Sequence, residues 1–170
     1  MKWIIFTGTW KNTNEEVEHD VRESVREVLA HGDGIITGGA LGVDLFCMDE
    51  VLKINLTCTH LRVILPSKLD LYLEHYAKRI TENIITKEKY EELEKTLQAI
   101  QKINPSALVE MHFTKIDSES YAERDNEEVK YGDGVHAFQV NDSNGTQHTI
   151  DSALIKGIPL LLHKKYSIKE

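Results

Sequence analysis

Short apolar runs alternate with longer stretches in which apolar residues recur every three to four positions, and this alternation continues along the whole chain. Trp3-Ile4-Ile5-Phe6-Thr7 is the first run and ends at Gly8. Thr13-Asn14-Glu15-Glu16 then presents a capping box before a helical stripe of Val17, Val21, Val25, Val28 and Leu29, with Gly32 as its C′ residue. Gly34-Ile35-Ile36-Thr37 predicts a buried strand, followed by a helix that turns Val43, Phe46, Cys47, Val51 and Leu52 to the core. Leu61 to Leu65 predicts another strand, stopped by Pro66. Residues 68–103 read as an extra segment of two helices, with stripes Leu69, Leu73, Tyr76, Ile80, Ile84 and Leu93, Leu97, Ile100. Thr86 starts the second, and one of the two is long enough to project for subunit contact. Asn104-Pro105 breaks the pattern before a strand at 108–113, and the charged stretch from Asp117 to Glu128 reads as a solvated loop and helix start. Val135 to Val140 is a strand, Thr146 to Lys156 a helix, and Ile158 to Leu162 the last strand. Strands joined by helices of this length make βαβ crossovers, so the fold class is α/β: a doubly wound, mostly parallel sheet with helices on both faces. A ligand then belongs across the carboxyl ends of the strands, at the switch point.

A chain of 170 residues with 41% hydrophobic composition predicts one domain, 1–170. Its net charge of −8 repels polyanions at long range, which disfavours direct DNA binding but leaves room for a small phosphorylated ligand in a local pocket. Cys47 and Cys58 show neither metal nor redox spacing and read as reduced core thiols. The eight histidines form no H-E-x-x-H or paired ligand spacing, so no metal and no cofactor is expected. With no signal sequence and no apolar run near the ~20 residues of a membrane span, a cytoplasmic location is the expectation.

The chemistry concentrates in glycine-rich elbows. Gly8 and Thr9 form a simple one after the first strand. Thr37-Gly38-Gly39-Ala40-Leu41-Gly42-Val43-Asp44 joins a strand to a helix, where bare backbone can approach a phosphate and unpaired amides at a helix start can hold it. This elbow is neither G-x-G-x-x-G nor G-x-x-x-x-G-K-[ST], so an ordinary dinucleotide dehydrogenase and a P-loop NTPase are both unsupported. Asp44 can accept from a sugar hydroxyl or simply stabilise the helix start through its dipole. The elbow Asn141-Asp142-Ser143-Asn144-Gly145-Thr146, with Thr149, packs more hydroxyl and amide carriers than an Asx turn and a helix cap require. Arg124, a short helix upstream of the Val135 strand, is placed to hold a phosphate or carboxylate bidentately. Trp10 and Lys11 can stack on a base and touch a phosphate, although a partly buried aromatic is the plainer reading of Trp10. His148 lies beside the second elbow with no visible partner, so exposure is its default.

Taken in order, Phe6-Thr7-Gly8-Thr9, the Thr37 to Asp44 elbow, Arg124-Asp125 and the Asp142 to Thr149 helix start resemble the SMF/DprA and LOG (SLOG) superfamily of Rossmann-like nucleotide-binding domains, across nearly the whole chain. Ser143 to Ile150 is similar to the S-x-G-T-x-x-T-I form of small DprA-like members. The resemblance implies a ligand crevice lined by Gly8, Thr9, Gly38, Gly39, Ala40, Asp44, Arg124, Asp142, Ser143, Gly145, Thr146 and Thr149, and a homodimer. Three functions follow, the first read from the residues and the other two implied by the resemblance. The favoured one is a sensor or binding domain for a nucleotide or nucleotide-derived ligand. The second is a LOG-type hydrolase or transferase acting at the N-glycosidic bond of nucleoside monophosphates, which uses an arginine and the glutamate of P-G-G-x-G-T-x-x-E. That glutamate position is Thr149 here, and threonine cannot supply the charge an oxocarbenium-like transition state needs. The third is a DprA-like single-stranded DNA-binding recombination mediator, against which the acidic balance and the absence of a basic-aromatic stripe both count.

Overall fold

The computed structural model describes residues 1–169. Six strands, β1 (Trp3–Gly8), β2 (Gly34–Thr37), β3 (Leu61–Leu65), β4 (Leu108–Glu110), β5 (Gly134–Val140) and β6 (Leu160–Tyr166), form one sheet in the order β4-β3-β2-β1-β5-β6. Every pairing is parallel. Six α-helices connect them: α1 (Glu15–Ala30), α2 (Val43–Ile54), α3 (Leu69–Thr81), α4 (Lys87–Ile103), α5 (Ser118–Tyr131) and α6 (Asn144–Ile155).

Alternation along the strands divides the core. Ile4, Phe6, Ile35, Val63 and Phe138 face α1 to α4, while Ile5, Ile36, Ile64, Val135 and Ala137 face Val129 of α5 and Ile150 and Ala153 of α6. The chain runs outward from β1 to β4 with its helices on one face. It then returns through α5 on the other face to place β5 beside β1, which makes β1/β5 the switch point.

Local signals set most boundaries. Asn14, one residue later than the start of the predicted box, caps α1 by accepting from the Val17 amide at 3.0 Å. Gly32, at φ +79°, ends that helix. Thr86 caps α4, accepting from the Lys89 amide. Neither helix of the 68–103 segment projects: Tyr72, Leu93, Leu97 and Ile100 are all fully buried. The 117–128 stretch, expected as a solvated loop and helix start, belongs to the helix α5, which buries Ser120, Arg124 and Glu128, and two strand ends also differ from expectation. β4 stops at Glu110, whose carboxylate turns to accept from the Leu69 amide at 2.6 Å. β6 starts later and runs to Tyr166, because as an edge strand it tolerates the polar His163-Lys164-Lys165 while still pairing with β5. No helix among the described residues is long and apolar enough to cross a membrane.

Candidate functional site

A cavity of about 380 Å³ opens over the carboxyl ends of β1 and β5. The β1 end and the following loop contribute Phe6, Thr7, Gly8, Thr9 and Trp10, and α2 with its elbow contributes Ala40 and Asp44. From α3 come His75, Tyr76 and Arg79; from α5, Tyr121, Arg124, Asp125 and Glu128; from the α6 start, Ser143, Asn144, Gly145, Thr146 and Thr149.

The two elbows, alike in sequence, end up with different roles. At α6, Ser143 is the N-cap but makes no side-chain cap bond, its hydroxyl donating instead to that of Thr146 at 2.9 Å. The amides of Asn144, Gly145 and Thr146 have no acceptor among the described residues, and a Cβ added to Gly145 would meet nothing within 4 Å. This helix start therefore faces open space with its positive end unsatisfied. The chain enters it through Asn141 and Asp142, both left-handed (φ +50° and +52°), with Asn141 fastened to the Ile168 backbone in both directions at 2.8 and 2.9 Å.

At α2 the start is covered. The Thr9 carbonyl accepts from the Val43 amide at 3.1 Å, and Asp44 uses one carboxylate oxygen on the Thr37 hydroxyl (2.8 Å) and the other on the Ala40 amide (3.2 Å). Burial pushes the Asp44 carboxyl up, against the opposing pull of Arg124 and those two donors. Gly38 and Gly39 lie behind the cavity wall. The Gly38 carbonyl accepts from Arg124, the Gly39 carbonyl accepts from Tyr72 at 3.0 Å, and a Cβ at Gly39 would run into Leu65 and Val63. Asp142 is also off the wall, exposed and paired with Lys165 at 2.9 Å, which holds its carboxyl below the usual range. Of the residues named from sequence, Gly8, Thr9, Ala40, Asp44, Arg124, Ser143, Gly145, Thr146 and Thr149 thus come together, while Gly38, Gly39 and Asp142 do not.

Arg124 sits at the centre, 9% exposed. Its guanidinium is occupied by the Gly38 carbonyl, by Asp125 at 3.0 Å and by Glu128 at 3.8 Å, and lies 5.3 Å from the Tyr121 ring. Although burial opposes its charge, the carboxylates of Asp125 and Glu128 raise its pKa well above the ordinary value. Burial pushes the Glu128 carboxyl well up, with Arg124 opposing. His148 Nδ1 lies 3.5 Å from an Asp125 carboxylate oxygen, a neighbour its place in the sequence did not reveal, but it is buried without a hydrogen bond. Thr149 donates its hydroxyl back to the Gly145 carbonyl at 3.4 Å. At the other end, His75 stacks edge-on against Tyr76 and Tyr121, and burial and Arg79 lower its pKa. The sequence reading missed His75, Tyr76, Arg79, Tyr121 and Glu128. Tyr121, Arg124, Asp125 and Glu128 are spaced i, i+3, i+4, i+7, so continuing the stripe from Arg124 would have found two of them.

No family model and no curated protein matches the sequence. Solved structures do match. DNA processing protein A from Helicobacter pylori, described for its single-stranded DNA binding mode, superposes with a TM-score of 0.64 at 18% identity, covering 99% of this chain and 66% of that one. The structural genomics target TM1055 superposes with a TM-score of 0.55 at 16% identity, covering 94% and 72%. The chain thus has a Rossmann-like α/β fold similar to that of DNA processing protein A, and it spans just under two thirds of that protein.

Proposed function

We propose that the cavity binds a nucleotide or nucleotide-derived ligand and that the chain acts as a binding or sensing domain. The start of α6 carries this reading: three amides without protein acceptors open into a cavity of nucleotide size that has an aromatic wall at its other end. Phosphate seats at Asn144 to Thr146, and the Gly38-Gly39 turn, lying behind the wall, holds the site together without touching the ligand. Thermal unfolding with nucleoside mono- and diphosphates tests it. Binding at a hundred times the dissociation constant stabilises by about 2.7 kcal/mol, a shift of several degrees. Gly145→Asp places a carboxylate where the phosphate sits without steric conflict, so it abolishes the shift and leaves the unliganded transition in place. No shift with any nucleotide, or an equal shift in the variant, overturns the reading.

One observation favours a second reading, hydrolysis of an N-glycosidic bond: Asp125 and Glu128 put carboxylates on the cavity wall although Thr149 holds the family's glutamate position. Release of free base from a nucleoside monophosphate, lost in Asp125→Asn, supports it, and no release at micromolar protein removes it. The DNA-processing neighbour prompts a third, direct single-stranded DNA binding, which a net charge of −8 opposes. A gel shift at moderate salt decides that. The homodimer implied by the family resemblance is part of the proposal, and sedimentation equilibrium at twice the chain mass supports it.

A further inference from the structure

The cavity presents its chemistry in a definite order. The rings of His75 and Tyr121 lie 6.2 Å apart; Tyr121 borders Arg124 at 5.3 Å; Arg124 holds Asp125 at 3.0 Å; and Asp125 meets His148, in the second turn of α6, at 3.5 Å. From α3 to α6 the sequence is therefore an aromatic wall, a central group of carboxylates, and unpaired amides.

The central group is rich in acceptors that the protein leaves over. Arg124 is neutralised by its own neighbours, so it does not serve as the anion site. Asp44 has both oxygens engaged. Glu128 is 3% exposed and lines the cavity, yet its carboxyl makes no hydrogen bond among the described residues, and its nearest cation is Arg124 at 3.8 Å. A buried acceptor without a donor is costly, and here the open side of the carboxyl is the cavity. Asp125 is held through one oxygen by Arg124, and its other oxygen lies 3.5 Å from His148 Nδ1 without a hydrogen bond, so lone pairs remain on both.

Resting on the nucleotide reading, we propose that Asp125 and Glu128 form the sugar subsite of the cavity, and that the ligand is a ribonucleotide distinguished from its 2′-deoxy counterpart by hydrogen bonds from the ribose hydroxyls to these carboxyls. The order of groups in a nucleotide matches the order of the walls. A phosphate at the α6 start leaves its sugar one ester bond away, beside Asp125, and sends the base on toward Tyr121, Tyr76 and His75. An acceptor site of this kind discriminates strongly, because the analogue lacking the hydroxyl leaves buried carboxyl oxygens unpaired. Asp44, engaged in its own elbow, takes no part.

The test is calorimetric titration of the protein with the four ribonucleoside 5′-monophosphates and their four 2′-deoxy counterparts, on wild type and on Asp125→Ala and Glu128→Leu. For the ribonucleotide that binds, the 2′-deoxy form binds roughly ten- to a hundredfold more weakly, the effect of one hydrogen bond to a charged group. Each variant weakens the ribonucleotide and leaves the 2′-deoxy form within about twofold, so the discrimination shrinks. Should Glu128→Leu fail to fold, Asp125→Ala decides alone. Equal binding of both sugars overturns the sugar subsite while the nucleotide reading stands. Discrimination that follows the base whatever the sugar, or that survives both variants, also overturns it. Binding of none of the eight overturns both readings together.

Discussion

Arg124 on α5 donates a hydrogen bond to the Gly38 carbonyl at the end of β2, so the central cation of the cavity is also the clasp that fixes the glycine elbow. The same guanidinium offsets three buried or half-buried carboxylates, those of Asp44, Asp125 and Glu128.

Removing that clasp destabilises the fold. Arg124→Met leaves buried carboxylates uncompensated, at a cost of about 3–5 kcal/mol. At roughly 2–4 °C per kcal/mol for a chain of this size, Tm falls by roughly 10 °C at neutral pH. The deficit against wild type shrinks at pH 5, where the orphaned carboxyls take up protons. Thermal melts at pH 5 and 7.5 check this, and a deficit independent of pH contradicts the electrostatic account.

Glu128 alone gives stability a pH slope of known sign. Its folded pKa lies well above the ordinary 4.5, so the native state keeps a proton the unfolded chain has lost. The stability this group contributes is complete below pH 4.5 and is lost as pH rises through the folded value. Glu128→Gln, neutral throughout, becomes more stable relative to wild type from pH 5 to pH 8. Urea denaturation across that range measures the difference, and a constant difference refutes the shift.

His136 works in the opposite direction. Its Nδ1 meets the Ser24 hydroxyl at 2.7 Å beside the Phe6 ring, and burial lowers its pKa from 6.5 to about 4. The stability it contributes is present above pH 6.5 and is lost as pH falls toward 4. Its imidazole proton resonances titrate with a midpoint near 4, and a midpoint at 6.5 disproves the burial effect.

Gly39→Ala separates a structural glycine from a ligand-binding one. Gly39 has φ +71°, and a Cβ there sits 2.6 Å from Leu65 and 2.9 Å from Val63. Left-handed strain and overpacking together cost about 2–4 kcal/mol. Because Gly39 is off the cavity wall, a nucleotide still raises the Tm of the weakened variant. Loss of that rise with an unchanged apo Tm would instead make Gly39 a direct contact.

Trp10, 39% exposed on the cavity rim, reports occupancy. The other tryptophan, Trp3, lies under the Arg62 guanidinium at 4.1 Å, at the opposite end of β1. Nucleotide addition changes the emission of wild type and not of Trp10→Phe. A change that persists in the variant places the ligand elsewhere.

Periodicity located all six strands and five of the six helices of the described chain, because each of these elements buries an apolar face whose residue spacing is written locally. In the sequence α5 reads as a solvated loop and helix start because its buried face is made mostly of the polar Ser120, Arg124 and Glu128. The ends of β4 and β6 were less legible, since Glu110 leaves its strand for a long-range bond to Leu69 and β6 is a half-exposed edge whose polar residues break the alternation. At the site, the open α6 elbow was readable from its own residues, whose amides and hydroxyls line the cavity where they stand in the chain. The α2 elbow misled for the converse reason: whether its helix start is open depends on the Thr9 carbonyl, more than thirty residues upstream.

The sequence by itself determined the parallel α/β architecture and the two elbows, and it singled out Arg124, which the structure places on the cavity wall. Only the tertiary structure decided which elbow stays open, that Gly38 and Gly39 support the wall from behind, and that Tyr121, Asp125 and Glu128 join Arg124 in facing His75, Tyr76 and Arg79. Spacing along a helix names the residues that share a face. What that face meets depends on the crossover that carries α5 back across the sheet, a non-local choice made by the burial of the whole core.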